Sequence, residues 1–378
     1  MWWRQLAALW FKELRTLYRD PFLLLAIIWF FTAEIYIAGT GIRLELNKAP
    51  MGVVMEESSA PAREWLAAFH RPWFDVQGSV LDMQTGQALL DSGKLMQVVD
   101  LPPRLDEALW RGQPVAIQVF MDGSNVTLGS LMASYTQQIH ARYNTEQMLE
   151  KLHRSAAQPL PVPQVDNRVR LRFNENNEDS WFMSVTELFM VITVLGMLLP
   201  AALAVREKER GTIEQLLVTP LDTTQIMLAK IFAVILVILL GVTISLFCVI
   251  VPLIGAPLRG DLGLFYASVA LYAFSICGVG LFIATLARNL GQVMLLTFML
   301  ILPMLLLSGA WTPPEAMPAW ERALMAFTPL YHFNIIGNSI LFKAATLAEL
   351  KTHLLALAAI GLVLFSFGAW RFRRQFAV

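Results

Sequence analysis

Long apolar runs separated by short polar segments dominate the sequence. A helix that crosses a membrane needs about 20 mostly apolar residues. Six runs meet or approach this length, and we predict spans at residues 21–39, 181–205, 225–252, 264–287, 292–309 and 352–371. Another apolar stretch lies within residues 310–350, but it contains Glu321, Arg322 and Pro329. We interpret this segment as an external or re-entrant helical hairpin rather than a seventh span.

The composition agrees with this division of the chain. Hydrophobic residues make up 56% of the 378 residues and charged residues 15%, whereas soluble domains contain about 25% charged residues. The mean hydropathy is +0.54. The 29 basic and 29 acidic residues give a formal net charge of zero, which argues against a nucleic-acid-binding protein with a broad basic face. These values indicate an integral membrane protein.

The distribution of lysine and arginine predicts the orientation, because cytoplasmic loops are enriched in both residues. Basic residues are concentrated in segments 1–20 and 206–224, at Arg288, and around the tail at 372–378. The short loops on the opposite side contain fewer, namely Arg259, Arg322, Lys343 and Lys351. We therefore expect both termini in the cytoplasm, with residues 1–20 forming an amphipathic helix on the inner surface.

Residues 40–180 form one long segment between the first two spans, on the outer side in this orientation. Short β-rich runs alternate there with helical patterns. The β-rich runs are residues 51–55, 95–99 and 115–120. Apolar residues between 124 and 154 keep helical spacing, which predicts a long amphipathic helix. The order of strands and helices predicts an α/β domain.

Motifs for catalysis, nucleotide binding and metal binding are missing from the sequence. A phosphate-binding loop requires G-x-x-x-x-G-K-[ST], and the nearest fragment, Ser92-Gly-Lys94, lacks this spacing. The histidines are scattered, and Cys248 and Cys277 both fall inside predicted spans. We therefore expect no catalytic residues, no metal site and no cofactor in this chain.

The inner segment 206–224 carries the most informative local pattern. A charged block at Arg206–Arg210 is followed by a short helical pattern with Leu216 and Leu217 on one apolar face. Asp222 is placed to cap the next span. A short rigid helix with an apolar face is typical of a docking element for a cytosolic partner. The alternative is a solvated turn that only follows the positive-inside rule.

These residues also resemble a known family. Residues 206–220 read Arg-Glu-Lys-Glu-Arg-Gly-Thr-Ile-Glu-Gln-Leu-Leu-Val-Thr-Pro, which closely resembles the cytoplasmic signature of ABC-2 type transporter permeases. Further stretches that resemble landmarks of this family are 52–58, 122–125, 172–174, 280–288, 307–309, 314–318 and 371–374. The resemblance covers almost the whole chain. It is strongest to bacterial inner-membrane permeases with a large periplasmic loop.

The resemblance implies a fold and a mechanism. We expect an α-helical integral membrane protein with six transmembrane helices, similar to type V exporters, and a periplasmic α/β domain between spans one and two. The family implies a pair of permeases, formed with a second copy or a paralogue, and separate ABC ATPase subunits that bind ATP and Mg. A periplasmic adaptor protein is a further expected partner. Together they would export a drug-like or amphiphilic small molecule.

Two other classes of protein remain as alternatives. One is a membrane-anchored receptor with a periplasmic ligand-binding domain, and the other is a membrane-embedded enzyme such as a lipid-linked transferase. The receptor needs neither six spans nor a docking helix on the inner side. The enzyme would need clustered acids or histidines at one face.

The resemblance assigns coupling to the ATPase to a set of inner residues. In the charged segment these are Glu207, Glu209, Gly211, Thr212, Glu214, Leu216 and Leu217. The first helix is the second candidate contact, through Lys12 and Arg15.

Two acids inside predicted spans are candidates for the translocation path. At the rise of an α-helix, Glu34 and Glu187 both lie roughly 10 Å from the outer boundary of the hydrocarbon core. Charges in spans are costly and usually face a water-filled cavity. We interpret the pair as lining the path, and contact with outer headgroups is the alternative.

Overall fold

The computed structural model divides the chain into two compact units. Unit 1 combines residues 1–42 with 170–378, and unit 2 contains residues 43–169. The structure describes residues 2–41, 48–55, 60–69, 73–103, 107, 111, 115–122, 126–155, 178–211, 222–310, 312, 314 and 317–376.

Helices form all of the regular structure described in unit 1. Before unit 2 come α1 (Trp2–Tyr18) and α2 (Pro21–Gly41), which includes a π-helical turn at Phe30–Glu34. Unit 2 contains β1 (Ala49–Met55), α3 (Ala60–Ala67), β2 (Phe74–Val80), α4 (Met83–Asp91), β3 (Gln97–Leu101), β4 (Gln118–Met121) and α5 (Val126–Ser155). Unit 1 then continues with α6 (Asp179–Glu209), α7 (Thr223–Ile244, extended by a π-helical segment at Ser245–Ile254), α8 (Leu262–Leu286), α9 (Leu290–Leu306), α10 (Ala319–Met325), α11 (Pro329–Lys343) and α12 (Leu347–Phe376).

Several of these helices can cross a membrane. Five described helices are long and apolar enough, namely Pro21–Gly41, Asp179–Glu209, Thr224–Ile254, Leu262–Leu286 and Leu347–Arg371. The fifth predicted span corresponds to α9, which has 17 residues. At 1.5 Å per residue it is ~25 Å long, a little shorter than a hydrocarbon core of ~30 Å. The helical membrane architecture is confirmed, and the count of six spans stays a prediction.

Helix α6 continues further toward its C-terminus than the sequence predicts. It has 31 residues, or ~46 Å, and continues to Glu209, whereas the prediction placed the end of the span at residue 205. Arg, Glu and Lys are good helix formers, so the helix persists beyond the apolar run. The first part of the predicted loop at 206–224 is therefore the last turn of α6.

The core of unit 1 lies where α6, α8 and α11 meet. A Cβ on Gly280 of α8 would lie 2.3 Å from the carbonyl oxygen of Met197 of α6, so only glycine permits this close approach. Tyr272 is fully buried, with its hydroxyl 2.6 Å from Oγ1 of Thr193. Its ring stacks on Phe333 of α11 at a centroid distance of 4.2 Å. Helix α11, from the segment predicted as a hairpin, is thus part of the core.

Unit 2 contains a four-stranded sheet in the order β2-β1-β3-β4. Strand β1 pairs in parallel with β2 and β3, and β4 is antiparallel to β3. Alternate residues of the central strands pack on opposite faces. Met51 joins a core that includes Trp65 of α3 and Met132 of α5. Val54 and Val98 belong to a second, smaller core.

The sequence located some of these elements and missed others. Strand β1 and helix α5 agree with the predictions at 51–55 and 124–154. Strand β3 begins at Gln97, two residues after the start of the predicted run at 95–99. Strand β4 covers only the end of the run at 115–120. Strand β2 was not predicted. It lies at the edge of the sheet and exposes most of its residues, so it lacks a clear apolar alternation.

Candidate functional site

Four charged side chains from three helices meet in unit 1 beside the first turns of α7. Nζ of Lys230 in α7 lies 2.9 Å from Oε1 of Glu13 in α1 and 2.8 Å from Oε2 of Glu207 in α6. Lys12 of α1 contacts Oε1 of Glu207, and its Nζ lies 3.3 Å from Oε1 of Glu13. We call these four residues the ionic cluster. With two acids and two bases it is formally neutral.

The pattern of α1 explains how the ionic cluster is assembled. Leu6, Leu9 and Glu13 lie on one face of α1, because residues three, four or seven apart share a helix face. The two leucines belong to a small apolar core with Ile226 of α7. Lys230 lies one helical turn after Ile226 and therefore meets Glu13.

Burial distinguishes this cluster from a surface ion pair. The side chains of Lys230 and Glu13 are 1% and 3% exposed. Removing one partner of such a pair leaves an uncompensated charge, which costs ~3–5 kcal/mol. The side chain of Lys12 is 44% exposed, so its contacts are expected to contribute about 1 kcal/mol or less. Partial burial acts to lower the pKa of Lys12, but the carboxylates of Glu13 and Glu207 outweigh it and raise this pKa.

A second contact ties α6 to the corner between α1 and α2. Nη1 of Arg206 lies 2.5 Å from Oδ2 of Asp20. The other carboxylate oxygen of Asp20 accepts a hydrogen bond from the backbone N–H of Leu23 at 3.1 Å and caps α2. The hydrogen bond from Arg206, and then the one from Leu23, lower the pKa of Asp20 below its ordinary value. The Asp20 carboxylate is therefore ionised at neutral pH.

The last residues of α6 connect to α8 and α9. The ammonium group of Lys208 donates to the carbonyl oxygen of Ala284 in α8. Oε1 of Glu209 accepts a hydrogen bond from the backbone N–H of Leu290, the first residue of α9, at 3.3 Å. Gly211 has a φ of +65°, the left-handed conformation that commonly ends a helix. The end of α6 is thus fixed by its neighbours and by its own backbone.

The structure brings some of the predicted coupling residues together. Lys12 and Glu207 are in contact within the ionic cluster, and Glu209 and Gly211 lie one turn away at the end of α6. Arg15 is exposed on α1 and is not a member of the cluster. Thr212, Glu214, Leu216 and Leu217 lie outside the described residues. Contact of this set with a cytosolic partner stays a prediction.

Sequence reasoning missed three of the charged contacts at this site. It did not identify Lys230 as a partner of Glu13 and Glu207, and it did not pair Asp20 with Arg206. One available signal was the position of Lys230 inside the predicted span at 225–252. An ionisable residue in a span usually has a partner and marks a functional position.

The two candidate path residues lie on α2 and α6. Glu34 and Glu187 are both half-buried, and their carboxyl groups interact electrostatically. Within the part of the chain that the structure describes, neither carboxylate has an ion-pair partner. Glu34 is the last residue of the π-helical turn in α2. The carbonyl oxygen of Phe31 in that turn accepts a hydrogen bond from Oγ of Ser245 at 2.5 Å.

Comparison of the sequence with known proteins places this chain in a family. The model for the "ABC-2 family transporter protein" matches residues 21–370. The chain belongs to the ABC-2 transporter family. This ABC-2 chain is 32% identical over 364 residues to the "Inner membrane transport permease YhhJ" of Escherichia coli (strain K12), covering 96% of this chain and 95% of YhhJ.

Two further relatives of this ABC-2 chain are also from Escherichia coli (strain K12). The "Probable multidrug ABC transporter permease YbhR" is 30% identical over 369 residues, covering 96% of this chain and 97% of YbhR. The "Probable multidrug ABC transporter permease YbhS" is 29% identical over 364 residues, covering 94% of this chain and 93% of YbhS. The family predicted from residues 206–220 is confirmed, and this ABC-2 chain is a membrane transport protein.

Proposed function

We propose that this chain is the permease subunit of an ATP-driven exporter in a bacterial inner membrane. Its cargo is a drug-like or amphiphilic small molecule, and separate ABC ATPase subunits bind and hydrolyse ATP with Mg. The ionic cluster carries the proposal, because it joins α1, α6 and α7 beside the predicted docking segment. The family and the words "multidrug ABC transporter permease" in the names of YbhR and YbhS support the substrate class.

Coupling begins at the charged end of α6. ATPase subunits contact this end and the exposed face of α1, where Arg15 lies. Because Lys230 binds both Glu13 and Glu207, a displacement of either helix is transmitted to the other and to α7. The three helices therefore move together at their inner ends.

The same movement reaches the two acids. Helix α6 carries Glu187, and Asp20 links α6 to the start of α2, which carries Glu34. A shift of α6 against α2 changes the separation of the two carboxyl groups. In this proposal the acid pair attracts cationic or amphiphilic substrates and releases them as the helices shift.

The proposed orientation is supported by the basic residues of α12, because cytoplasmic segments are enriched in lysine and arginine. Nε of Arg371 donates to Oγ1 of Thr285, near the end of α8, at 3.0 Å. Arg373 donates to Oγ1 of Thr224, at the start of α7. These contacts hold the end of α12 beside the end of α8 and the start of α7. In this proposal that side and the N-terminus are cytoplasmic, and the α/β domain lies in the periplasm. There it would contact an adaptor protein, while a second copy or a paralogue completes the permease pair.

ATP hydrolysis in a reconstituted complex tests this function. The chain is co-expressed with the candidate ABC ATPase, purified in lipid nanodiscs and assayed with and without a cationic drug. We expect the ATPase to co-purify and the Glu207→Gln variant to lose most of the drug stimulation. The matched control is Glu146→Gln, which neutralises an exposed acid of α5 that pairs with Arg142.

Two results would contradict the proposal. If the chain binds ligand through residues 43–169 but never co-purifies with an ATPase, it is a receptor. If Glu207→Gln and Glu146→Gln give the same drug-stimulated hydrolysis, the ionic cluster does not couple the ATPase to the helices.

A further inference from the structure

An apolar groove lies between α1 and α7. Its walls include Trp3, Ala7 and Trp10 from α1, and Phe232, Leu236 and Leu239 from α7. The cavity has a volume of about 460 Å³, within the range of small-ligand sites. All of its lining side chains are apolar, so it suits a hydrocarbon ligand.

The position of the groove along α7 indicates the source of that ligand. Phe232 and Leu239 lie about 13 and 24 Å along the helix from Thr223. The α7 wall of the groove therefore lies within the hydrocarbon core, which is ~30 Å thick, and reaches its middle. Phe232 and the nearby Leu240 are 42% and 57% exposed. The groove is continuous with a surface of α7 that faces lipid.

The edge of the groove is positively charged. Arg4 directly follows Trp3 and precedes Ala7 by three residues, so helical geometry places it beside the groove. Arg4, Arg15 and Arg19 are exposed, and none of them forms an ion pair with any residue that the structure describes. The acid of α1, Glu13, is buried and bound to Lys230. Helix α1 thus presents net positive charge next to an apolar cavity.

We propose that this groove binds an acyl chain of an anionic phospholipid, with Arg4 beside its headgroup, whose net negative charge a zwitterionic lipid lacks. Amphipathic helices with basic residues bind anionic membrane surfaces because they bury apolar side chains and because their positive charges attract the lipid headgroups. The lipid holds α1 against α7 beside the ionic cluster. The inner leaflet follows from the proposed orientation, whereas lipid binding itself does not depend on export.

Photolabelling of the full-length chain tests the site without any transport readout. The chain is reconstituted in nanodiscs with phosphatidylglycerol or phosphatidylcholine that carries a photoreactive group on one acyl chain. Mass spectrometry then locates the labelled peptides. We expect labelling of α1 and of residues 232–239, with a preference for phosphatidylglycerol of about fivefold, the factor expected for one basic residue near the headgroup.

Variants with matched controls test the apolar groove and the headgroup contact of Arg4 separately. Ala7→Trp fills the groove and should reduce the labelling to background, whereas Ala8→Trp adds the same ring at an exposed position outside it. Leu236→Trp fills the groove from α7 and guards against a folding defect specific to Ala7→Trp. Arg4→Gln should abolish the preference for phosphatidylglycerol, while Arg19→Gln keeps it.

Three outcomes would overturn the inference. The first is equal labelling of the Ala7→Trp and Ala8→Trp variants. The second is equal labelling of the unmodified chain by the two lipids, or an unchanged preference in Arg4→Gln. The third is crosslinking of Trp3 to a second copy of the chain, because that result makes the groove a contact between permeases.

Discussion

Replacing Lys230 with methionine is expected to release α1 from α7. Methionine keeps an unbranched side chain of similar length but removes the ammonium group. Glu13 and Glu207 then lose contacts of 2.9 and 2.8 Å. Lys12, whose side chain is 44% exposed, is the remaining base of the ionic cluster and must compensate two acids.

The size of the effect follows from burial. Removing one partner from a buried ion pair costs ~3–5 kcal/mol. The substitution leaves the apolar contacts of Leu6 and Leu9 with α7 unchanged. The free-energy cost therefore comes from the uncompensated carboxylates. Since 1.4 kcal/mol corresponds to a factor of ten, the population with α1 detached should rise roughly 10²- to 4 × 10³-fold.

Cysteine labelling measures this population. Leu9, 8% exposed in the core between α1 and α7, is replaced by cysteine after Cys248→Ser and Cys277→Ala have removed the native thiols. The maleimide reaction rate in nanodiscs then reports detachment, because labelling follows the open population when reclosing is fast. Lys230→Met is compared with its parent in this background.

Two further variants test whether the uncompensated charge causes the detachment of α1. Lys12→Met should raise the labelling rate by no more than about fivefold, because an exposed pair contributes 1 kcal/mol or less. Adding Glu13→Gln to Lys230→Met should lower the labelling rate part of the way back to that of the parent, since it removes one uncompensated carboxylate. Equal labelling rates in Lys230→Met and Lys12→Met would refute the reasoning.

Other predictions concern the end of α6, the acid pair and the corner at Asp20. Gly211→Ala should destabilise the chain by about 1–2 kcal/mol, because alanine is strained in the left-handed region, and Gly211→Asn should cost less; equal thermal unfolding midpoints would contradict this. Glu34→Gln and Glu187→Gln should each reduce export of cationic drugs in inverted vesicles but spare neutral ones, and unchanged export in both would exclude a role for the pair. Arg206 holds the pKa of Asp20 low, so the stability from this pair is present at neutral pH and is lost as the pH falls through that lowered pKa. After division by the thiolate fraction, which itself falls with pH, the labelling rate of Leu17→Cys in the same cysteine-free background should stay constant down to about pH 5. A rise of this corrected rate between neutral pH and about pH 5 would contradict the assignment.

Features set by neighbouring residues were predictable from the sequence. Helix α8 covers Leu262–Leu286 against a predicted span at 264–287, because an uninterrupted apolar run is a local property. The cap at Asp222 is confirmed by its hydrogen bond from Thr224 and by the capping box with Gln225. The charged block was predicted to be a docking element for the same reason, and this role stays a prediction. The structure places residues 206–209 of the block in α6.

Features that depend on which helices meet were not predictable. Glu13 and Lys230 are separated by 217 positions, and no periodic pattern relates residues at that distance. The sequence showed that α1 has an apolar face, but it did not show that this face packs on α7. The groove beside Trp3 and Phe232 was missed for the same reason, since each wall alone is an ordinary apolar helix face.

The separation of Glu13 and Lys230 also sets an order of events during biogenesis. The ribosome makes Glu13 first, then Glu207 in α6, and only afterwards the lysine that neutralises both. Until α7 has entered the bilayer, the nascent chain carries two acids whose buried partner does not yet exist. Docking of α1 is therefore a late step of assembly, and a chain interrupted before residue 230 would leave this helix loose on the membrane surface, accessible to quality-control proteases.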